Sequence, residues 1–199
     1  MERKILIQTI DQLSHTDKDT ITLFASIFQL KQLEKNQQLS CQQPEDRSIY
    51  YHLDGLLHLY QKNKRPQHTP IKTKINTLDI YQPNQFFTLP HTTPSTIQLK
   101  AIRPSQLLVA KYYKIQQLMK ENSNIFDILA ILQEQWQQQQ NERIALLTTT
   151  PAKKRYQVLT QTLGTHLYHI PKYLLASYLA ISRKQLQRII YQQLFTEKT

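Results

Sequence analysis

The residues of this chain best suited to chemistry lie near its end, in the stretch LLASYLAISRKQLQRII from Leu174 to Ile190. After a three-residue step, Ala180 to Ser182, come basic and amide side chains: Arg183, Lys184, Gln185, Gln187 and Arg188. Arginine can donate two hydrogen bonds to guanine, and glutamine can pair in a similar way with adenine. These residue types at helical spacing predict contacts with the bases of DNA.

Such side chains can enter a major groove only if a first helix packs across the second and leaves one face free. The apolar residues around the step can form that shared core: Leu175, Leu179, Ile181, Leu186, Ile189 and Ile190. Ser182-Arg-Lys-Gln185 fits a capping box at the start of the second helix. The pattern predicts a helix-turn-helix; the alternative is an amphipathic helix pair whose charges are only solvated.

Two further helices are indicated before this motif. Thr150-Pro151 predicts a helix start, with Thr as N-cap and Pro in the first turn, and Gly164 predicts its end after Leu163. Pro171 opens the next helix, through Leu179. Side chains that flank the predicted base readers are assigned to phosphate: Lys153, Lys154, Arg155, Lys172, Ser182 and Tyr191.

The charge of the chain is concentrated in the same segment. The chain carries 25 Lys and Arg against 14 Asp and Glu, a formal net charge of +11. From Pro151 to Thr199 there are eight basic residues and one acidic residue, so +7 of that charge lies in the last quarter. This distribution is typical of a nucleic-acid-binding module, although a merely basic surface would give the same count.

The region from about Thr22 to Lys111 has short, strand-like patterns punctuated by prolines. STIQLKAI, from Ser95 to Ile102, alternates apolar and polar residues, and LLVA follows at Leu107 to Ala110. In IYYHLDGLLHLY, from Ile49 to Tyr60, Asp-Gly between apolar runs predicts a two-residue hairpin with a type I′ turn. We expect a small antiparallel β domain.

Two histidines lie in that predicted hairpin, one on each side of its turn. His52 would face Leu57 and His58 would face Tyr51, so the two imidazoles would project from opposite faces of the sheet and could not share a metal ion. His166 and His169 lack a third ligand nearby in the sequence. We therefore expect no metal site and no cofactor.

A long helix should connect the two regions, from about Asn122 to Leu147. Its apolar stripe consists of Ile125, Leu129, Leu132 and Trp136, and it resumes after the glutamine tract. The helix is suited to lie against the β domain or against a second copy of itself. We expect these four residues to form a homodimer contact.

Other classes of protein are not favoured. No apolar run approaches the roughly 18 residues needed to span a bilayer, and Asp11 interrupts the start before a signal-type stretch forms. The single cysteine, Cys41, excludes an internal disulfide. No P-loop, G-x-S-x-G or Cys–His arrangement is present. We expect a cytoplasmic protein that is not an enzyme.

The sequence resembles the family of Crp/Fnr-type bacterial transcription regulators. The run ASYLAISR with Leu186 and Arg188 is similar to the family's helix-turn-helix motif. The run TPAKKRYQVL, which begins at Thr150, resembles the stretch that precedes this motif in the family. The run YYHLDGLLHLY resembles a hairpin of the family's β domain. The resemblance implies an α+β fold: a cyclic-nucleotide-binding-like β-roll or jelly-roll domain with N-terminal helices at 1–121, a long dimerisation helix at 122–149, and a helix-turn-helix domain at 150–199. It also implies base and phosphate contacts by Arg183, Lys184, Gln185 and Arg188.

The departures from the family pattern bear on function. Ala180 replaces the usual turn glycine, and Lys184 stands where an acidic residue is common, which removes an acceptor for cytosine. The stretch that resembles the phosphate cassette of cyclic-nucleotide binders, Pro83 to Leu99, has no glycine, acid or arginine. A bound cyclic phosphate would lack its charge partner there.

These observations predict a sequence-specific DNA-binding regulator, homodimeric on an inverted repeat and not responsive to cyclic nucleotides. The alternative is a ligand-sensing or protein-interaction β domain whose helix-turn-helix binds DNA without specificity. Double-stranded DNA and a second copy are the expected partners, and RNA polymerase and an unknown small-molecule effector are left open.

Overall fold

A computed structural model of the chain describes residues 2–39, 46–63, 74–90 and 97–196. Cys41 and part of the cassette-like stretch, residues 91–96, lie outside these ranges, as does the start of the predicted strand at Ser95. Two helices come first, α1 (Glu2–Leu13) and α2 (Lys18–Ser26), so the strand-like region begins after α2 and not at Thr22. Eight strands follow: β1 (Gln29–Leu33), β2 (Gln38–Leu39), β3 (Ser48–Asp54), β4 (Leu57–Asn63), β5 (Lys74–Tyr81), β6 (Phe86–Thr88), β7 (Ile97–Ala101) and β8 (Ser105–Lys111).

The remaining elements are helical. They are α3 (Tyr112–Glu121), α4 (Ile125–Thr148), α5 (Ala152–Leu163), a 3₁₀ segment (Gly164–His169), α6 (Lys172–Tyr178) and α7 (Arg183–Thr196). The predicted α+β architecture, with an antiparallel β domain, a long helix and a terminal helical part, is confirmed. In the described residues no helix is long and apolar enough to cross a membrane.

The strands form two antiparallel four-stranded sheets, in the orders β1-β8-β3-β6 and β2-β7-β4-β5. The predicted hairpin between β3 and β4 is wrong, because these two strands pair with different partners in different sheets. His52 is opposite Leu107 and His58 is opposite Ile80 and Lys100, not the residues that the hairpin register implies. The Asp-Gly step is a crossing between sheets, which local turn chemistry cannot distinguish from a hairpin turn.

Gly55 is required at this crossing for two reasons. Its φ is +105°, which L side chains rarely adopt. A β-carbon there would lie 2.6 Å from the carbonyl oxygen of Pro104 and would collide with the hydroxyl of Ser105. Asp54 belongs to β3 and is not among the described residues with positive φ, so the turn is not type I′. The close approach lets the Leu56 amide donate to Ser105 Oγ at 3.2 Å.

Three apolar clusters hold the chain together. One lies between the two sheets and includes the stacked rings of Tyr50, Phe87 and Tyr81. Another joins the first sheet to the N-terminal helices and α4. The third forms the interior of the C-terminal helices and also includes Leu56 and Ile80 of the β domain. The helix-turn-helix therefore packs on the β domain.

The C-terminal helices agree with the sequence prediction to within one or two residues at their ends; the helix predicted from Pro171 through Leu179 spans Lys172–Tyr178. The helix predicted at Thr150-Pro151 begins at Ala152, with Pro151 in extended backbone at the cap position (φ −76°, ψ 173°) and without a side-chain cap. Its end at Leu163, followed by Gly164, is confirmed. The stretch that holds His166 and His169 is the 3₁₀ segment.

Candidate nucleic-acid interface

The turn between α6 and α7 is closed by hydrogen bonds of the Schellman type. The amide of Ile181 donates to the carbonyl of Ala176 at 3.0 Å, and the amide of Ala180 donates to the carbonyl of Ser177 at 3.1 Å. This geometry needs a left-handed residue after the helix, and Ala180 adopts it with φ +53°. Alanine thus takes the conformation in which glycine is usually found, at a steric cost.

The face of α7 that the sequence assigns to base reading is free. Arg183, Lys184, Gln185, Gln187 and Arg188 are all exposed, and Leu186 and Ile189 between them are buried. Ser182 Oγ accepts a hydrogen bond from the amide of Gln185 at 3.1 Å, which caps the helix as the capping-box pattern predicts. The polar side chains therefore project from a helix whose start and inner face are both fixed.

The three C-terminal helices share an unusual charge pattern at their first turns. The first turn of α5 has no acidic residue and contains Lys153 and Lys154; α6 begins with Lys172 and α7 with Arg183, again without an acid. A helix N-terminus carries a partial positive charge and is normally stabilised by acidic side chains nearby. Basic residues at these positions destabilise the free protein slightly and favour a bound anion such as phosphate.

Arg155 does not fit its predicted role as a phosphate contact. It is half-buried, and its Nη1 donates to the carbonyl oxygens of Leu147 at 3.2 Å and Thr149 at 3.1 Å. The guanidinium therefore satisfies carbonyl groups at the end of α4. This corrects the prediction, because a run of basic residues does not show which side chain will meet backbone carbonyl groups in the folded chain.

The other predicted phosphate contacts lie at or near the surface. Lys154, Lys172, Ser182 and Tyr191 are exposed, and Lys153 is half-buried. The structure adds Tyr173, whose ring lies 5.5 Å from the guanidinium carbon of Arg183. This cation–π contact joins the first turns of α6 and α7. A tyrosine directly after Lys172 was the available signal, and the sequence reasoning did not use it.

The apolar stripe of α4 faces the chain's own interior. Ile125 and Leu132 are 0% and 1% exposed in the cluster shared with the β domain, and Leu129 and Trp136 pack against the same cluster. This corrects the assignment of Ile125 and Leu132 as contacts to a second copy, because no surface of theirs is left to contact one. The periodicity predicted the buried face of the helix but not its partner.

His52 and His58 lie in the core of the β domain. They are 0% and 4% exposed, and burial lowers the pKa of each to about 4. His58 Nε2 lies 3.0 Å from Thr77 Oγ1 within hydrogen-bonding geometry. Among the described residues no cluster of three His, Cys, Asp or Glu side chains could hold a metal ion.

A cavity of about 640 Å³ lies between the β domain and α4. Tyr81 and Phe87 line it from the strands, and Trp136 and Arg143 line it from the helix. Trp136 Nε1 is buried without a hydrogen-bond partner in the described part of the chain. The cavity thus has aromatic side chains in its walls.

The architecture of the chain is similar to that of several solved structures. The chain matches the structure of FixK2 from Bradyrhizobium japonicum with a TM-score of 0.67 at 11% identity, over 86% of each chain. It matches the c-di-GMP responsive global regulator CLP of Xanthomonas campestris with a TM-score of 0.62 at 15% identity, over 91% of this chain and 93% of that one. A CooA variant from Carboxydothermus hydrogenoformans gives a TM-score of 0.54 at 14% identity, over 94% and 83%.

The chain has the Crp/Fnr-type fold, as the sequence resemblance predicts. No family model matches the sequence, and neither does any curated protein. At these identities the likeness establishes the arrangement of the elements, and the function has to be argued from the site.

Proposed function

We propose that this protein is a sequence-specific DNA-binding transcription regulator that acts as a homodimer on an inverted repeat. The observation that carries the proposal is the outward face of α7. Five side chains able to reach base edges are exposed there, on a helix capped by Ser182 and held from behind by Leu186 and Ile189. A merely solvated helix would not need basic first turns on α5, α6 and α7 together.

The dimer contact belongs on the face of α4 that points away from the β domain. Phe126 and Ile144 are 54% and 59% exposed, and they lie on one side of the helix with Ala130, Gln133 and Gln137. This exposed stripe has no charged residue, so a second α4 can pack on it without burying an ion. In such a dimer two copies of α7 would enter successive major grooves about 34 Å apart.

Selection from a random double-stranded DNA library tests the proposal. The full chain is incubated with the library at near-physiological salt, and the bound fraction is amplified and sequenced. We expect enrichment of an inverted repeat, since two-fold assembly and base reading together require one. Salt-sensitive binding without any enriched motif would mean that α7 contacts only phosphate, and the proposal would fail.

A second candidate function, ligand sensing by the β domain, is favoured by the cavity beside Trp136. The chain has one tryptophan, so its fluorescence reports directly on this cavity. We expect cyclic AMP to leave the emission unchanged because the cassette-like stretch lacks glycine, acid and arginine. Phenylacetate, an aromatic probe with a hydrogen-bond acceptor, should alter the emission if the cavity binds ligands of that chemistry.

A further inference from the structure

Two helices, α4 and α6, contact the edge of β5. Among the described strands β5 lies at the edge of its sheet, and Leu78 is the extra residue of a bulge in its pairing with β4. The amide of Thr77 donates to Ser177 Oγ of α6 at 3.0 Å, and the carbonyl of Leu78 accepts from Arg143 Nε of α4 at 3.1 Å. An edge strand ordinarily exposes such backbone groups to solvent. Here side chains of α4 and α6 form hydrogen bonds with these backbone groups.

Arg143 of α4 contacts both of the other elements at this point. Its Nε donates to β5, its Nη2 donates to the carbonyl of Tyr178 at 2.7 Å, and its guanidinium carbon lies 3.6 Å from the centre of the Tyr178 ring. The planar fork of arginine suits this combination of two donors and a stacked ring, and the ammonium of lysine does not. One side chain of α4 therefore fixes both the strand and the helix that supports α7.

A half-buried carboxylate completes the arrangement, which we call the three-way junction: Asp79, Arg143, Ser177 and Tyr178. Tyr178 donates its hydroxyl to Asp79 Oδ1 at 3.3 Å, and the amide of Ile80 donates to the same oxygen at 2.8 Å. Burial raises the pKa of Asp79 and lowers that of Arg143, so the charged form of either group carries a desolvation cost here. Well-packed apolar residues would stabilise the contact at least as well. Polar groups that carry such a desolvation cost fit a role in fixing the orientation of α6 better than a role in stabilising the fold.

We propose that Arg143 is the residue that positions the helix-turn-helix, by fixing α6 to β5 and α4 through the three-way junction. α6 packs against α7 in one apolar cluster that includes Leu175, Leu179 and Leu186, so the direction of α7 follows that of α6. α4 carries the proposed dimer face. This inference rests on the proposed dimeric, DNA-binding function, because its consequence is a fixed separation between two recognition helices.

Binding to DNA of altered spacing tests the inference. The inverted repeat obtained by selection is lengthened at its centre by one or two base pairs, and each base pair rotates one half-site by about 34–36°. Affinities of the full chain are measured for each spacer and for a single half-site. Arg143→Lys and the milder Tyr178→Phe, which keeps the ring under Arg143, are compared with Arg103→Lys and Tyr113→Phe, which alter exposed side chains elsewhere.

We expect the wild-type protein and both controls to prefer one spacer strongly. In Arg143→Lys the ratio of best to altered spacer should fall by about tenfold, within the range of coupling between sites in proteins. Affinity for the single half-site should stay within about twofold. Variants that keep the wild-type spacer ratio would overturn the inference. A wild-type protein without any preferred repeat would instead refute the proposed function.

Hydrogen exchange of the DNA-free protein tests the junction independently of DNA. Ser177→Ala, Arg143→Lys and Tyr178→Phe should each speed exchange in β5 and α6, while β3 and β8 keep wild-type protection. A general loss of stability would speed exchange in every element, which a positioning role does not require. Unchanged exchange in β5 and α6 for all three variants would refute the junction, whatever the DNA results.

Discussion

Replacing Ala180 by glycine should stabilise the protein. The left-handed conformation costs an L-residue roughly 1–2 kcal/mol, and glycine avoids that cost. Glycine also gains about 0.4–1 kcal/mol of entropy in the unfolded chain, which offsets part of the benefit. Ala180 is exposed, so its methyl group contributes little packing. We expect a net gain of about 0.5–1 kcal/mol, or roughly 1–4 °C in Tm for a chain of this size.

Equilibrium urea unfolding followed by circular dichroism measures this change, because the helical signal includes α6 and α7. Gly164→Ala is the matched control in the same domain. Gly164 has φ +49° and ψ −129°, and a β-carbon there would meet no atom within 4 Å. The control therefore isolates backbone strain and should destabilise the protein by about 1–3 kcal/mol. If Gly164→Ala destabilises as expected but Ala180→Gly gives no gain, the steric account of the turn is refuted.

The remaining predictions concern DNA reading, the sheet crossing and acid stability. Arg188→Ala should lose about 1–3 kcal/mol of specificity at one base position of each half-site; an equal loss on all sequences would make Arg188 a phosphate contact. Lys153→Ala should weaken binding to all sequences and flatten the salt dependence by about one unit per site, and an unchanged slope would remove it from the interface. Gly55→Ala should cost about 3 kcal/mol or more in urea unfolding, since backbone lies too close for a β-carbon; wild-type stability would contradict the close approach. His52 and His58 have pKa values of about 4 in the folded chain, below the ordinary 6.5. As the pH falls, these imidazoles are therefore protonated in the unfolded chain before they are protonated in the folded one. Stability should therefore be fully present above pH 6.5 and fall towards pH 4, and His58→Gln should make that fall shallower; equal slopes would argue against a buried neutral imidazole.

Local signals in the sequence located the C-terminal helices well. Three signals depend only on neighbours along the chain: the Ser182 cap, Gly164 after α5, and the helical spacing of apolar residues in α7. Strand pairing depends on distant segments, so the same Asp-Gly step that resembles a hairpin joins two sheets. The outward basic face of α7 could be predicted for the same reason that the helix could.

Residues whose roles depend on distant backbone groups could not be assigned in this way. Arg155 resembles its basic neighbours in sequence, yet it binds carbonyls at the end of α4. Arg143 is a single cation beside a glutamine tract, and its partners Leu78 and Tyr178 come together only in the folded chain. Counting charges cannot separate side chains that bind the protein from those that are free to bind DNA.

The opposite faces of the helix-turn-helix have consequences for how such a protein can diversify. The side chains of Lys184 and Gln187 on α7 are exposed, so substitutions there should cost little stability, and in the proposed function they would alter the preferred DNA sequence. The inward face of α6 is bound to β5 and α4 through Ser177 and Tyr178, so changing its orientation requires matched changes in three distant segments. If the proposed function holds, descendants of this chain should acquire new target sequences readily, while the distance between their half-sites stays the same.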